Sequence, residues 1–213
     1  MKHGKCILLY SGGLDSLLAG KILIDQKIEV TGLHFILPYF SPEINPDELK
    51  ESVIAKQIGL KIIHYRCGEE YINILKNPPH GYGKHINPCI DCKIFFIKKA
   101  IELMVTTGAD FIATGEVVGQ RPMSQLRHTL NHIENNTIKG KLLRPLSAKL
   151  LKPTIAEING IIDREKLYDI NGRGRSRQIE LARKFGIKEF TSPAGGCLFT
   201  DKFISLRIRD LIE

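Results

Sequence analysis

The sequence predicts an α/β fold: a parallel sheet with helices on both faces, followed by a basic helical C-terminal segment. Three observations carry that expectation. Short apolar, β-branched runs alternate with stretches of helical period, as in strands joined by crossover helices. A paired-glycine turn at residues 11–16 follows the first such run. A length of 213 residues suits one full domain with at most a small appendage.

Taken in order, residues 7–10 read as a buried strand and 17–26 as the helix after it. Residues 29–35 form the next strand, about 47–57 a helix, and 61–65 a third strand, with a polar, proline-containing region at 77–88. A long amphipathic helix then runs to 107. Asn87 reads as its N-cap and Pro88 as its first residue. Its Ile90, Ile94, Ile97, Ile101 and Met104 fall on one stripe, and Gly108 stops it. Residues 111–117 read as a fourth strand and 141–144 as a fifth. The last third reads as helices around the turn at 171–174. Ligands of such sheets sit at the carboxyl ends of the strands, so the loops after Tyr10, Phe35 and Thr114 are expected to converge. One domain over 1–213 is expected, its core at about 1–165 and its basic segment at about 166–213 folded back onto the site.

Composition narrows the class. With 43% hydrophobic and 25% charged residues, the chain is neither disordered nor collagen-like. Lys and Arg number 31 against 23 Asp and Glu, a net charge of +8. Residues 1–120 carry 13 basic and 13 acidic side chains, whereas 121–213 carry 18 and 10. The basic part points to a polyanion such as nucleic acid, with an ordinary solvated face as the plainer reading. No apolar run approaches the ~18 residues of a membrane span, and the run at 6–10 is too short for a signal peptide. The expected compartment is therefore the cytoplasm, where thiols stay reduced. Cys6, Cys67, Cys89, Cys92 and Cys197 are odd in number and widely spread, which points to buried, metal-binding or catalytic roles instead of disulfides.

Two motifs carry chemistry. In Ser11-Gly12-Gly13-Leu14-Asp15-Ser16, glycines let the backbone approach a ligand and the following helix start favours an anion, a phosphate cradle. The plainer alternative is a capped turn. No G-x-x-x-x-G-K-[ST] loop or G-x-G-x-x-G fingerprint is present. The second motif, Asn87-Pro88-Cys89-Ile90-Asp91-Cys92-Lys93, places two cysteines on one face of a helix start, where the dipole favours thiolates. Cys197 follows Gly195 and Gly196, which would let the chain fold closely over the site. Three readings stay open for Cys89, Cys92 and Cys197. One is a [4Fe–4S] cluster with an open iron. Another is metal-free persulfide chemistry. The last is a zinc site recruiting His80 or His85. Cys6 reads as core.

The loop at 11–16 resembles the PP-loop of the ATP pyrophosphatase family, whose members cleave ATP between its α and β phosphates. That resemblance implies that Ser11, Gly12, Gly13, Asp15 and Ser16 bind ATP, with Asp15 helping to hold Mg²⁺. His34, Thr114 and Gly115, at strand ends, are the further nucleotide-binding candidates; for His34 a satisfied core histidine is the competing reading. Residues 87–116 resemble the corresponding run of tRNA 2-thiouridylases, in which Cys92 stands at the first catalytic cysteine and Cys89 often corresponds to Asp. The C-x-x-C pair with a distant Cys is similar to the three-cysteine, cluster-dependent tRNA thiolases. Residues 119–125, 144–154 and 192–201 resemble a shorter group of predicted tRNA thiolases. Glu116 departs from the 2-thiouridylases, which have His there.

The implied activity is a tRNA-uridine sulfurtransferase. ATP adenylates a uridine carbonyl oxygen, pyrophosphate leaves, and sulfur held at the cysteine site displaces AMP. Asp15, Cys92 and Cys197 are the catalytic candidates, and Cys89, Cys92 and Cys197 the metal ligands. A sulfide or persulfide donor is implied. Recognition of tRNA would fall to the basic part, a homodimer partner or another protein. Arg121 and Arg144 are phosphate candidates, with salt bridges as the alternative. Arg173, Arg175, Arg177, Arg183 and Lys184 form a candidate RNA stripe. The competing classes are an amide- or nitrile-forming ligase of the same fold, which needs no reactive thiols, and a metal-stabilised RNA-binding module without catalysis.

Overall fold

The computed structural model describes residues 4–38, 43, 45–191 and 197–212. Its strands are β1 (Lys5–Leu9), β2 (Glu29–Ile36), β3 (Lys61–Arg66), β4 (Phe111–Thr114) and β5 (Leu142–Leu143). The first four helices are α1 (Leu14–Asp25), α2 (Lys50–Ala55), α3 (Glu69–Lys76) and α4 (Cys89–Thr107). α5 (Arg127–Asn135), α6 (Ile155–Ile158), α7 (Ser176–Lys184) and α8 (Lys202–Ile212) complete the set.

The strands make one parallel sheet in the order β3-β2-β1-β4-β5. From the central β1 the chain moves outward to β3, then returns to add β4 on β1's other side. This reversal opens a crevice at the carboxyl end of β1, between the loops after β2 and β4. Side chains alternate between two cores. Leu8, Val30, Phe111 and Ala113 pack with α1, α2 and α7, while Ile7, Leu33 and Ile112 pack with α4 and α5. Burial on both faces is why these strands read as near-continuous apolar runs. A smaller cluster of Cys67, Tyr71, Leu75, Cys92, Phe95 and Phe199 ties α3 and the start of α4 to the segment entering α8.

The structure corrects several local expectations. The helix expected at about 47–57 is broken into a 3₁₀ turn at Pro46–Glu48, α2, and a second 3₁₀ turn at Lys56–Ile58, because Leu49 is extended at ψ 142°. α3 was unanticipated; it buries Tyr71 and Leu75, one turn apart. Pro88, not Asn87, caps α4: the amide of Cys92 donates to the Pro88 carbonyl (2.9 Å), so Cys89 opens the helix. β4 stops at Thr114 instead of 117, where Gly115 turns the chain against α1. Among the described residues, no helix is long and apolar enough to cross a membrane.

Candidate functional site

The glycine loop is shaped by close packing. Gly12 has φ +70°, and a Cβ there would lie 2.4 Å from the Glu51 side chain, so only glycine suits both conformation and space. Gly13 is extended and caps α1, whose first-turn N–H groups have no carbonyl partner within the helix. The Ser16 hydroxyl donates to the Gly13 carbonyl (2.8 Å) and accepts from the Ser11 amide (3.3 Å), holding the turn shut on itself. From the other side, a Cβ on Gly115 would lie 2.4 Å from Ser16 N and 2.5 Å from the Asp15 carbonyl carbon. The end of β4 therefore presses on the first turn of α1. Beyond α7, the Thr191 amide donates to Gly12 O at 3.2 Å.

A cavity of about 540 Å³ opens over this loop. Its wall includes Ser11, Gly13, Asp15 and Ser16 from the loop, His34 from β2, and Thr114 and Gly115 from the end of β4. Cys89, Cys92 and Cys197 line the same cavity. The loops expected to converge do so. Of the glycine-loop, strand-end and cysteine candidates, Gly12 alone stays off the wall and acts through the turn.

Asp15 is held but incompletely satisfied. Its Oδ2 accepts from Gln120 Nε2 (2.8 Å) and lies 3.5 Å from Arg175 Nη1, while its buried Oδ1 has no hydrogen-bond partner among the described residues. A buried, unpaired carboxylate oxygen beside this helix start is a fitting ligand for a hard cation such as Mg²⁺.

Cys89 and Cys197 are half-buried and Cys92 is buried, with the Tyr71 hydroxyl 3.1 Å from its Sγ. The helix start does not make Cys92 a thiolate. Burial pushes its thiol up to about 12; the Tyr71 hydrogen bond opposes this, and charge on Cys197 and Cys89 adds to it. Desolvation outweighs the dipole. Burial also raises the Cys197 thiol, against a backbone hydrogen bond from Phe199 and the cations Arg121 and Lys93. Cys92 thus feels Cys89 and Cys197, and Cys197 feels Cys89. Gly195 and Gly196 lie outside the described residues.

The candidate donor set is three thiols that line one cavity. Among the described residues, no three His, Cys, Asp or Glu side chains gather as one ion requires. His80, invoked for zinc, instead places Nδ1 2.7 Å from Asp91 and Nε2 2.9 Å from His132. Neither His80 nor His85 lines the cavity. A [4Fe–4S] cluster binds its thiolates at separate irons, and three cysteines lining one cavity are donors of the right kind for it. Cys67 belongs to the small apolar cluster, and burial pushes it to about 12, while Cys6 is buried in the sheet.

Glu116 is the cavity's buried charge. Its carboxylate lies 3.4 Å from Lys93 Nζ and 3.2 Å from Arg144 Nε, and accepts from Thr114 Oγ1 at 3.2 Å. Burial raises its pKa, but Lys93 and Arg144 together hold it below the ordinary carboxylate range. Arg144 is corrected as a phosphate ligand: it is 3% exposed and locked to Glu116 and Glu134. Arg121 does line the cavity, and Gln125 is a further polar residue on its lining. The basic stripe divides, with Arg175 turned to Asp15, Arg177 paired to Asp169 (2.8 Å), and Arg173, Arg183 and Lys184 exposed. Sequence reasoning gave no role to Lys93 or Gln120; for Lys93, the one available signal was its place directly after Cys92.

The chain matches the family described as Thiamine biosynthesis protein (ThiI) over residues 1–168. A probable tRNA sulfurtransferase from Alkaliphilus metalliredigens is 30% identical over 156 residues, covering 68% of this chain and 36% of that protein. A tRNA-specific 2-thiouridylase MnmA from Petrotoga mobilis is 32% identical over 141 residues, covering 54% of this chain and 36% of that one. The chain thus spans 36% of the length of these curated relatives. Among solved structures, a 4-thiouridine synthetase–RNA complex with bound ATP shares the fold. Its TM-score is 0.62 at 19% identity, over 98% of this chain and 50% of that one. On the family match and the sulfurtransferase relative together, the chain belongs to the ThiI family.

Proposed function

We propose that this protein is an ATP-dependent tRNA-uridine sulfurtransferase. The observation that carries this reading is a single cavity that joins a phosphate-shaped glycine loop to three cysteines. ATP would lie with its pyrophosphate portion on the backbone of residues 11–16 and the start of α1. Asp15 would hold Mg²⁺ through the oxygen left free beside Gln120 and Arg175. Arg175, Lys93 and Arg121 bring positive charge to the phosphates. His34, Thr114 and Gly115 would border the nucleoside.

A uridine carbonyl oxygen attacks the α-phosphorus, pyrophosphate departs, and the ring N3 proton is released. A hydrosulfide then bonds to the same ring carbon, and the C–O bond breaks with its electron pair leaving on AMP. The sulfur's proton passes to N3, giving the thiouridine. Cys89, Cys92 and Cys197 would hold a [4Fe–4S] cluster, which when bound supplies an open iron to carry the sulfide. In a metal-free persulfide route, Cys197 would carry the sulfur and Cys92 resolve the bond. Exposed Arg173, Arg183 and Lys184 would meet the tRNA backbone, with residues 166–213 returning over the site as part of one domain.

The test uses the purified chain, γ-labelled ATP, tRNA, Mg²⁺ and sulfide under anaerobic conditions. Pyrophosphate release with thiouridine formation is expected, and Cys197→Ala is expected to abolish only the thiouridine. Thiouridine formation that survives replacement of all three cysteines would remove them from the reaction, and pyrophosphate release driven by a carboxylate and ammonia instead of tRNA and sulfide would assign the chain to the amide-forming ligases. Full activity of iron-free protein with a persulfide donor would exclude the cluster.

A further inference from the structure

The cavity wall holds a histidine whose proton is dictated by a chain of hydrogen bonds behind it. On β2, Leu33 and Phe35 pack toward α4, so His34 between them faces the α1 side of the sheet. Its register partner on β3 is His64, and the two Nδ1 atoms are 3.2 Å apart. His64 Nε2 lies 3.1 Å from the hydroxyl of Ser52 on α2. That hydroxyl donates to the Pro46 carbonyl at 2.7 Å.

Proton counting then leaves one arrangement. A serine hydroxyl has one proton, and Ser52 gives it to Pro46, so the proton between Ser52 and His64 belongs to His64 Nε2. A neutral imidazole carries a single N–H, which makes His64 Nδ1 an acceptor. The proton between the two rings must therefore sit on His34 Nδ1. His34 Nε2 is left with a lone pair and has no partner among the described residues, on a side chain that lines the nucleotide cavity. Both rings are held neutral. Burial lowers His34 to about 4, against the pull of Glu51 and with help from His64. Burial also lowers His64, opposed by Asp47 and Glu51 and aided by Arg66.

We infer that Ser52 and His64 are positioning residues that fix His34 as a hydrogen-bond acceptor, and that this acceptor selects a purine bearing an amino group at C6 over one bearing a carbonyl. An exocyclic amine would donate to Nε2, whereas a carbonyl would bring one lone pair against another and leave both unpaired. The inference rests on the ATP reading above and adds the residues that choose its base. It also explains why three residues from three different elements, Ser52, His64 and His34, are joined in one line.

The test measures binding of ATP, inosine triphosphate and purine riboside triphosphate to the full chain with Mg²⁺ by calorimetry. The last probe lacks the amine without adding a carbonyl. ATP is expected to bind about tenfold tighter than purine riboside triphosphate, with inosine triphosphate weaker still, the size of one hydrogen bond in a partly buried site. His34→Phe is expected to bring the ratio of ATP to purine riboside triphosphate to about one. His64→Leu is expected to shrink it, and His64→Gln, whose amide oxygen can still accept from His34 Nδ1, to restore it. Nitrogen-15 long-range correlation spectra of the unmodified protein should show His34 protonated at Nδ1, a readout independent of any variant's folding. Equal binding of the three triphosphates, or a His34 protonated at Nε2, overturns the inference while leaving the nucleotide reading intact. Failure of any triphosphate to bind overturns the nucleotide reading itself.

Discussion

Arg175, just before α7, places its guanidinium 3.5 Å from the Asp15 carboxylate in the glycine loop. The basic C-terminal part of the chain thus contributes a charge directly to the neutral part's glycine loop. Under the proposed ATP reading, an arginine beside a candidate Mg²⁺ ligand would exchange that carboxylate for a phosphate. Arg175→Ala is expected to weaken Mg²⁺–ATP binding by about tenfold, the value of one charge-assisted hydrogen bond. Arg175→Lys should recover part of it. Calorimetry on the two variants checks this; unchanged affinity in Arg175→Ala would remove the residue from the site.

Gly115 is the contact between β4 and the loop. A methyl group there meets backbone atoms of Asp15 and Ser16 at 2.4–2.6 Å, and backbone cannot swing aside as a side chain can. Gly115→Ala is expected to cost about 1–3 kcal/mol of stability and to displace the loop, so ATP binding falls further than the melting temperature alone predicts. Thermal denaturation with and without ATP measures both effects.

Glu116 gives the protein an acid-sensitive charge. Its pKa is depressed in the folded state by Lys93 and Arg144 despite full burial. Its contribution is therefore complete above the ordinary carboxylate range and is lost as pH falls through the lowered value. Glu116→Gln leaves Arg144 buried without one of its two carboxylates, an expected loss of about 3 kcal/mol at pH 7. The variant should lose less stability than the parent as pH falls from the ordinary carboxylate range through the lowered value. Urea titrations at both ends of that range test the sign as well as the size.

The Cys92 thiol, at about 12, is expected to stay protonated in iron-free protein at neutral pH. Its alkylation should be slow until strongly alkaline conditions, and cluster assembly should release its proton. Mass-resolved alkylation against pH checks this. Rapid labelling of Cys92 at pH 7 would support the persulfide role instead.

The layout of the sheet is legible in the sequence because parallel strands buried on both faces read as apolar runs, at 7–10, 29–35 and 61–65. The crevice follows from the glycine turn after the first of them. Other features depend on partners brought together only by folding. Cys92 looks like an activated thiol at a helix start, but Tyr71 and Phe95 wall it from water. Arg144 looks like a surface cation until Glu116 and Glu134 are seen to enclose it. The line from Ser52 through His64 to His34 spans α2, β3 and β2, and no residue spacing announces it. α3 carries little sequence signal because it is only eight residues long and runs into a proline-containing loop.

The most direct test is nucleoside mass spectrometry of tRNA from a strain lacking this gene, complemented with the parent chain or with Cys92→Ala. The account predicts that one thiouridine disappears on deletion, returns with the parent chain, and stays absent with the variant. A thiouridine profile unchanged by the deletion, or restored by Cys92→Ala, would contradict it.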